Sequence, residues 1–280
     1  MSAKNLQESL HLTFEQEFFG PEGETSWREI WRETLSDGQE VVFTTSVGAL
    51  ELGHCLMIPE ENYTSFAQMP APLLTEAIDL AYTFCGVLRD VFRPALGCNF
   101  FIAEHGAIAA NSCISSAPEH ALDFKAGACV DHAHLHLLPT LQNMLSVVAS
   151  YEHIAGPWTT RITETAALND FQQSPYLSLG LDPQFGLAVW ENPSPQMGPY
   201  GRQFVRRAFE GMRCVAPRDR IIRDIVREID NVSQNKSYDW RTNPKEQTMT
   251  ETVQQVRLAL QAGAGGHIAA LLNKKQRLVS

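Results

Sequence analysis

Six cysteines are scattered through 280 residues without one CxxC pair. That spacing argues against a zinc knuckle or a disulfide framework and leaves reduced, mostly buried thiols. No stretch of about 20 uncharged apolar residues occurs, and the opening MSAKNLQESL has no apolar h-region. The expectation is therefore a cytoplasmic protein without a membrane segment. Positive charge is scarce as well: 22 Lys and Arg against 32 Asp and Glu give a net charge of −10. Duplex nucleic acid, whose affinity comes mainly from phosphate neutralisation, is a poor partner for such a chain. A small anion in one locally positive pocket remains compatible with it. Glycine and proline, 18 and 15 residues, are near ordinary usage, which excludes a collagen-like or linker-dominated chain. Neither an internal repeat nor a low-complexity tract is present. What remains is an ordinary globular composition, 44% hydrophobic, long enough for one large domain or two small ones.

Periodicity sketches the elements. In the polar first forty residues, Trp27, Ile30 and Trp31 are spaced like one face of a helix covering the core. Asp37-Gly38 marks a turn before a strand at Val41–Thr45, and a second short strand is read at Cys55–Pro59, paired antiparallel with the first. Pro72 opens a long helix whose Leu73, Leu74, Ala77, Ile78, Ala81 and Phe84 share a face, and Pro94 closes it. Strands follow at Asn99–Ala103 and Val130–Leu138, then a hairpin of Tyr176–Leu179 and Gly186–Trp190 with Gly180 and Asp182-Pro183 in its turn. Helical spacing returns in Gln203–Arg213, Arg220–Ile229 and Glu246–Leu260, and the stretch from Gly263 reads as a loose tail. The class is α+β: an antiparallel sheet with a long helix, plus a C-terminal hairpin and helical extension. The expected divisions are an N-terminal extension at 1–40, a core at 41–150, and C-terminal elements at 151–280 packed on that core.

Chemistry concentrates in Asp131-His-Ala-His-Leu-His-Leu-Leu-Pro139. On a strand, alternate side chains share a face, so His132, His134 and His136 project together while Ala133, Leu135 and Leu137 turn to a core. A neutral imidazole, with an ordinary pKa of about 6.5, is a competent nucleophile at pH 7. Its neighbours can hold its tautomer, donate to an anion, or pass a proton to a leaving group. The same three rings suit a zinc ion as ligands. Histidines satisfied in a core without a role are the remaining alternative, and three at strand spacing make that the weakest of the readings.

The string resembles the histidine-triad motif, His-φ-His-φ-His-φ-φ, of the HIT superfamily of nucleotide hydrolases and transferases. Gly53-His54-Cys55-Leu56-Met57-Ile58-Pro59 is similar to the Gly-His strand upstream of that motif, and the long helix follows it in the family order. Ala103-Glu104-His105-Gly106 resembles a bacterial branch of HIT-like proteins with a Glu-His-Gly turn after the third strand. The resemblance implies that His134 attacks the α-phosphorus of a small-molecule nucleotide and forms a covalent nucleotidyl-histidine. By the same likeness His136 contacts phosphoryl oxygens or assists the leaving group, and His132 and His54 fix the ring of His134. It implies no cofactor and no metal, and a homodimer.

This chain departs from the family in two places. Gly127-Ala128-Cys129 stands where many members have Gly-Gln-Ser or Gly-Gln-Thr, and Thr45 and Ser46 stand near a usual ribose-binding Asn or Asp. Ser46, Glu104, His105, Gly127 and Cys129 are accordingly the expected substrate-binding residues, with Cys129 a small buried thiol and not a nucleophile. The long segment between Gly106 and Gly127 is a candidate lid or substrate loop. The functional expectation is a nucleotide hydrolase or nucleotidyltransferase. The alternatives are a metal-dependent hydrolase using the three histidines as ligands and a non-catalytic nucleotide-binding protein. Of the remaining candidates, Tyr238-Asp239-Trp240-Arg241 reads as an aromatic anchor, Gln203, Arg206 and Arg207 as a solvated helix face, and Lys274-Lys275 with Arg277 as a solvated tail.

Overall fold

A computed structural model describes residues 26–46, 49–96, 99–106, 132–141, 147–148, 151–152, 156–191, 204–214, 222–235, 245–263 and 265–279. The strands are β1 (Glu29–Thr34), β2 (Glu40–Thr45), β3 (Cys55–Pro59), β4 (Asn99–Gly106), β5 (Leu135–Thr140), β6 (Thr160–Ile162), β7 (Tyr176–Asp182) and β8 (Gly186–Glu191). They form a single antiparallel sheet in the order β1-β2-β3-β5-β4-β7-β8-β6. The helices are α1 (Ala71–Leu96), α2 (Phe204–Cys214), α3 (Ile222–Asn235), α4 (Glu246–Ala262) and α5 (Gly266–Val279). Helix and antiparallel sheet are thus mixed in the α+β manner. Strands from both sides of the 41–150 segment join its sheet: β1 before it, and β6 to β8 after it.

Alternation along each strand sorts side chains into two cores. Val41, Phe43, Cys55, Met57, Phe100, Ile102, Leu135 and Leu137 face α1, α4 and α5. The odd-numbered partners on β4 and β7, Phe101, Ala103, Leu177 and Leu179, pack with Leu138, Val205, Phe209 and Val232 on the other side. Helix α1 is the spine of the first core, with Leu74, Ala77, Ala81, Phe84 and Leu88 fully buried and the Phe84 ring stacked on Phe43 at 4.0 Å between centroids. It is also the one helix among the described residues long and apolar enough to cross a membrane, and it is mostly buried in this core. Cys55 and Cys85 are free thiols within the same core.

Five local expectations are corrected. Trp27, Ile30 and Trp31 do not lie on a helix: Glu29–Thr34 is β1, paired with β2 across the Asp37-Gly38 turn. There Trp31 and Glu33 share a face, and the indole Nε1 donates to the Glu33 carboxylate at 2.9 Å, while Arg32 on the opposite face bridges Glu29, Glu40 and Glu60. The fourth strand begins at Leu135 and continues through Pro139 to Thr140, so His132 and His134 precede the ladder. Pro139 is tolerated because pairing with β3 covers only Leu135–Leu137. Gly180 and Asp182 belong to β7 and not to the hairpin turn, and α1 runs two residues past Pro94, which falls inside its last turn and forgoes one helical bond there.

The tail is the fifth correction, since residues from Gly266 onward form α5. Ile268 and Leu271 are buried in the first core, and the Asp90 carboxylate of α1 accepts from the His267 backbone N–H at 3.1 Å. The two helices approach closely because position 86 of α1 is glycine: a Cβ there would lie 2.3 Å from the His267 ring. We expect Leu271→Ala to lower unfolding free energy by about 2–5 kcal/mol in urea titration, as for a fully buried leucine. An unchanged midpoint would mean that α5 does not share the core.

Candidate active site

β5 lies between β3 and β4, and its register sets His136 opposite Leu56 on one side and Ala103 on the other. All three point to the α2 face. Continuing the β4 register by one residue brings His105 opposite His134. His54, the residue before β3, has the same parity as Leu56 and so faces the same way. Helix α2 packs across β4 and β5 there, with the Phe209 ring 6.0 Å from His54 and 6.3 Å from Phe101 between centroids.

Two backbone groups determine the protonation of the histidine row. The Leu50 N–H donates to His54 Nδ1 at 3.2 Å, so that nitrogen carries a lone pair. Burial holds the His54 ring neutral, its pKa driven well below the ordinary value by desolvation, then by Arg206, Lys245 and His134. Its proton therefore sits on Nε2 and is donated to His136 Nδ1 at 3.1 Å. His136 is neutral for the same reasons, desolvation first, so its own proton is on Nε2, an N–H donor.

His134 is wired the opposite way. Its Nδ1 lies 2.9 Å from the His132 carbonyl, which can only accept, so Nδ1 bears the proton and Nε2 the lone pair. Desolvation lowers its pKa, opposed by the bond to His132 and aided by the charge of Arg206. The His134 ring meets the His136 ring edge to face at 5.1 Å between centroids. His134 is half-buried, whereas His54, His105, His132 and His136 are all buried. His132 turns aside and donates from Nε2 to the Pro59 carbonyl at 2.7 Å, tying the triad segment to the end of β3.

The expected site residues are brought together unequally. Ser46 is buried just past β2, where its N–H bonds the His54 carbonyl and its Oγ accepts from Arg206 Nη1 at 3.1 Å. His105 joins the row, and burial and the neighbouring His134 push its pKa down to about 3. Glu104 does not join. The Glu-His-Gly string is strand and not turn, so Glu104 projects to the α1 face while His105 projects to the α2 face. There the Glu104 carboxyl accepts from the Phe66 N–H at 2.7 Å and from Tyr176 OH at 2.5 Å. Gly106 shares that face, and a Cβ on it would lie 2.3 Å from the Tyr176 ring, so the glycine makes room for the tyrosine that reaches Glu104. Gly127 and Cys129, the segment read as a lid, and Tyr238–Arg241 lie outside the described residues.

Arg206 was read as solvated and is instead buried beside the histidines, because α2 turns it inward along with Val205 and Phe209. Its position next to the apolar stripe of Val205, Ala208, Phe209 and Met212 is the signal that marks it. For a metal the rings do not converge: His132 faces Pro59, and Nδ1 of His134 and of His136 serve other partners. Among the described residues, no three His, Cys, Asp or Glu side chains are grouped to hold a metal ion. No protein-family model matches the chain, and no curated protein sequence matches it.

Burial raises the Glu104 carboxyl to about 7, with the bonds from Tyr176 and Phe66 acting the other way. The folded protein then keeps a proton that the unfolded chain releases near 4.5. Stability from this group is full below that value and is lost as pH rises through about 7. Glu104→Gln keeps an acceptor for Phe66 and removes the titration. Thermal unfolding should show the variant gaining on the wild type between about pH 5 and about pH 8. A constant difference over that range would show that Glu104 is not held protonated.

Proposed function

We propose that this chain is a nucleotide hydrolase or nucleotidyltransferase of the histidine-triad kind, acting at an α-phosphate through a covalent nucleotidyl-histidine on His134. The observation that carries the reading is the opposite wiring of two adjacent rings. His134 offers a lone pair on Nε2, and His136 beside it offers an N–H donor. That pairing suits in-line displacement at phosphorus. The His134 lone pair forms the P–N bond, and the leaving oxygen departs with the electrons of the broken P–O bond. His136 donates to a phosphoryl oxygen as charge develops there. In the second step water or an acceptor hydroxyl attacks the same phosphorus, its proton passes to solvent, and the electron pair of the broken P–N bond returns to His134.

The order β2, β3, α1, β4, β5, with the Gly-His strand beside the triad strand, supports the likeness to the HIT fold. His105 and His136 flank the nucleophile, Ser46 stands beside His54 and Arg206, and these are the residues of this reading that would meet the nucleotide. Glu104 acts from behind the sheet as a structural group. The substrate is a small nucleotide, and the chain works as a cytoplasmic homodimer.

The test is mass spectrometry of the triad peptide after incubation with ATP, a sugar nucleotide and adenosine 5′-phosphoramidate in turn. An acid-labile nucleotidyl adduct is expected on His134. His134→Ala should lose the adduct and lower turnover by more than about 10³-fold while nucleotide still binds. Wild-type rates in that variant would overturn the mechanism, and tight nucleotide binding with no adduct would leave a binding protein without turnover. Because desolvation keeps His134 neutral, kcat/KM should hold level down through pH 6.5, the ordinary histidine value, and fall only below it.

A further inference from the structure

A fixed positive charge stands among rings that carry none. His54, His134 and His136 are neutral, and the charge of Arg206 lowers the pKa of each. The contacts place its guanidinium beside Ser46, whose N–H bonds the His54 carbonyl, on the helix whose Phe209 ring lies 6.0 Å from His54. His105, on β4, adds a fourth neutral ring to the same face. Arg206 is buried, and Ser46 accepts from its Nη1 at 3.1 Å, across 160 residues of chain. Lys245 also lowers the pKa of His54, but it donates to the Leu50 carbonyl at 3.3 Å. Glu210, one turn further along α2, is buried too.

A phosphoryl group approaching His134 Nε2 brings at least one negative charge into surroundings stripped of water. Neutral N–H donors offset part of that cost, and a full charge offsets more. A guanidinium is planar, always protonated, and shaped to meet two oxygens at once. We propose that Arg206 is a phosphoryl-binding residue of this site, so that α2 completes a pocket whose nucleophile and donors come from β3, β4 and β5. Ser46 holds the guanidinium in the plane that meets the anion. The role in turnover rests on the reading of His134 as nucleophile; the binding of a phosphate-class anion does not.

The experiment separates the two. The full chain, Arg206→Met, Arg206→Lys, Ser46→Ala and His134→Ala are titrated with inorganic pyrophosphate by calorimetry, after circular dichroism has established that each is folded. Wild type and His134→Ala should bind alike. Arg206→Met should weaken binding by at least about tenfold, and Arg206→Lys, which keeps charge without the fork, by less. Ser46→Ala should fall between wild type and Arg206→Met, and it serves in place of the methionine variant if that one does not fold.

A second readout is one that a purely structural role would not move. Among the described residues, the titratable and charged groups that act on His134 are His132 on its own segment, His136 on β5, His105 on β4, His54 before β3, and Arg206 on α2, with Glu210 buried one turn beyond it. Removing the Arg206 charge alone should shift the His134 imidazole titration, followed by NMR of labelled histidine, to higher pH in Arg206→Met and not in Arg206→Lys. Pyrophosphate binding in Arg206→Met equal to wild type, or no binding by wild type, overturns the assignment. If wild type forms no nucleotidyl adduct yet binding depends on Arg206, the nucleophile reading fails and the anion site stands. If the adduct forms and binding ignores Arg206, the reverse holds.

Discussion

The Leu50 amide and the His132 carbonyl govern everything else at this site. One can only donate and the other can only accept, and between them they assign the protons of three rings. Side chains alone would leave each imidazole with two tautomers of similar energy. Main-chain groups have no such choice, so the row is organised before any ligand arrives. Burial enforces the arrangement, since a charged imidazole would have to donate from both nitrogens in a place that offers an N–H where it needs an acceptor.

The sheet makes that wiring possible by keeping two chemistries apart within single residues of each other. Glu104 and His105 are neighbours in sequence, yet their side chains lie on opposite faces. One is a carboxyl favoured in its protonated form among Phe66 and Tyr176; the other is an imidazole favoured neutral beside His134. Were they on the same face, carboxylate and imidazole would pair and each would drive the other into its charged form. Period-two alternation, with no intervening structure, prevents this. Gly106 completes the arrangement by leaving space for the tyrosine that satisfies Glu104.

Much of this was legible in the sequence where a short-range rule decides the outcome. The apolar face of α1, the pairing of β2 with β3, the β7–β8 hairpin and three of the C-terminal helices follow from periodicity and turn residues. His54, His105, His134 and His136 were each singled out and stand together. Other features needed tertiary partners. Trp27, Ile30 and Trp31 mimic helical spacing, and only the bond from Trp31 to Glu33 and the ladder to β2 make that segment a strand. Gly106 suggested a turn because glycines commonly make turns; its reason for being there, the Tyr176 ring, is 70 positions further along the chain. Ile268 and Leu271 carry helical spacing, but the preceding glycines obscured it. Arg206 was misjudged because a charged residue beside an apolar stripe is solvated unless another element covers it, and here the imidazole face does.

The histidine cluster is assembled from distant stretches of chain, and this has a bearing on its birth at the ribosome. When the triad segment emerges, β4 still has a bare edge awaiting β7, and neither α2 nor α5 has been made. The histidines thus exist for the time it takes to synthesise some scores of further residues with α1 already behind the sheet but the cover of their own face still missing. Contacts of such long sequence separation close slowly, and an uncovered strand edge invites pairing with another chain. Until those contacts close, the open edge of β4 is the part of the growing sheet that most needs shielding.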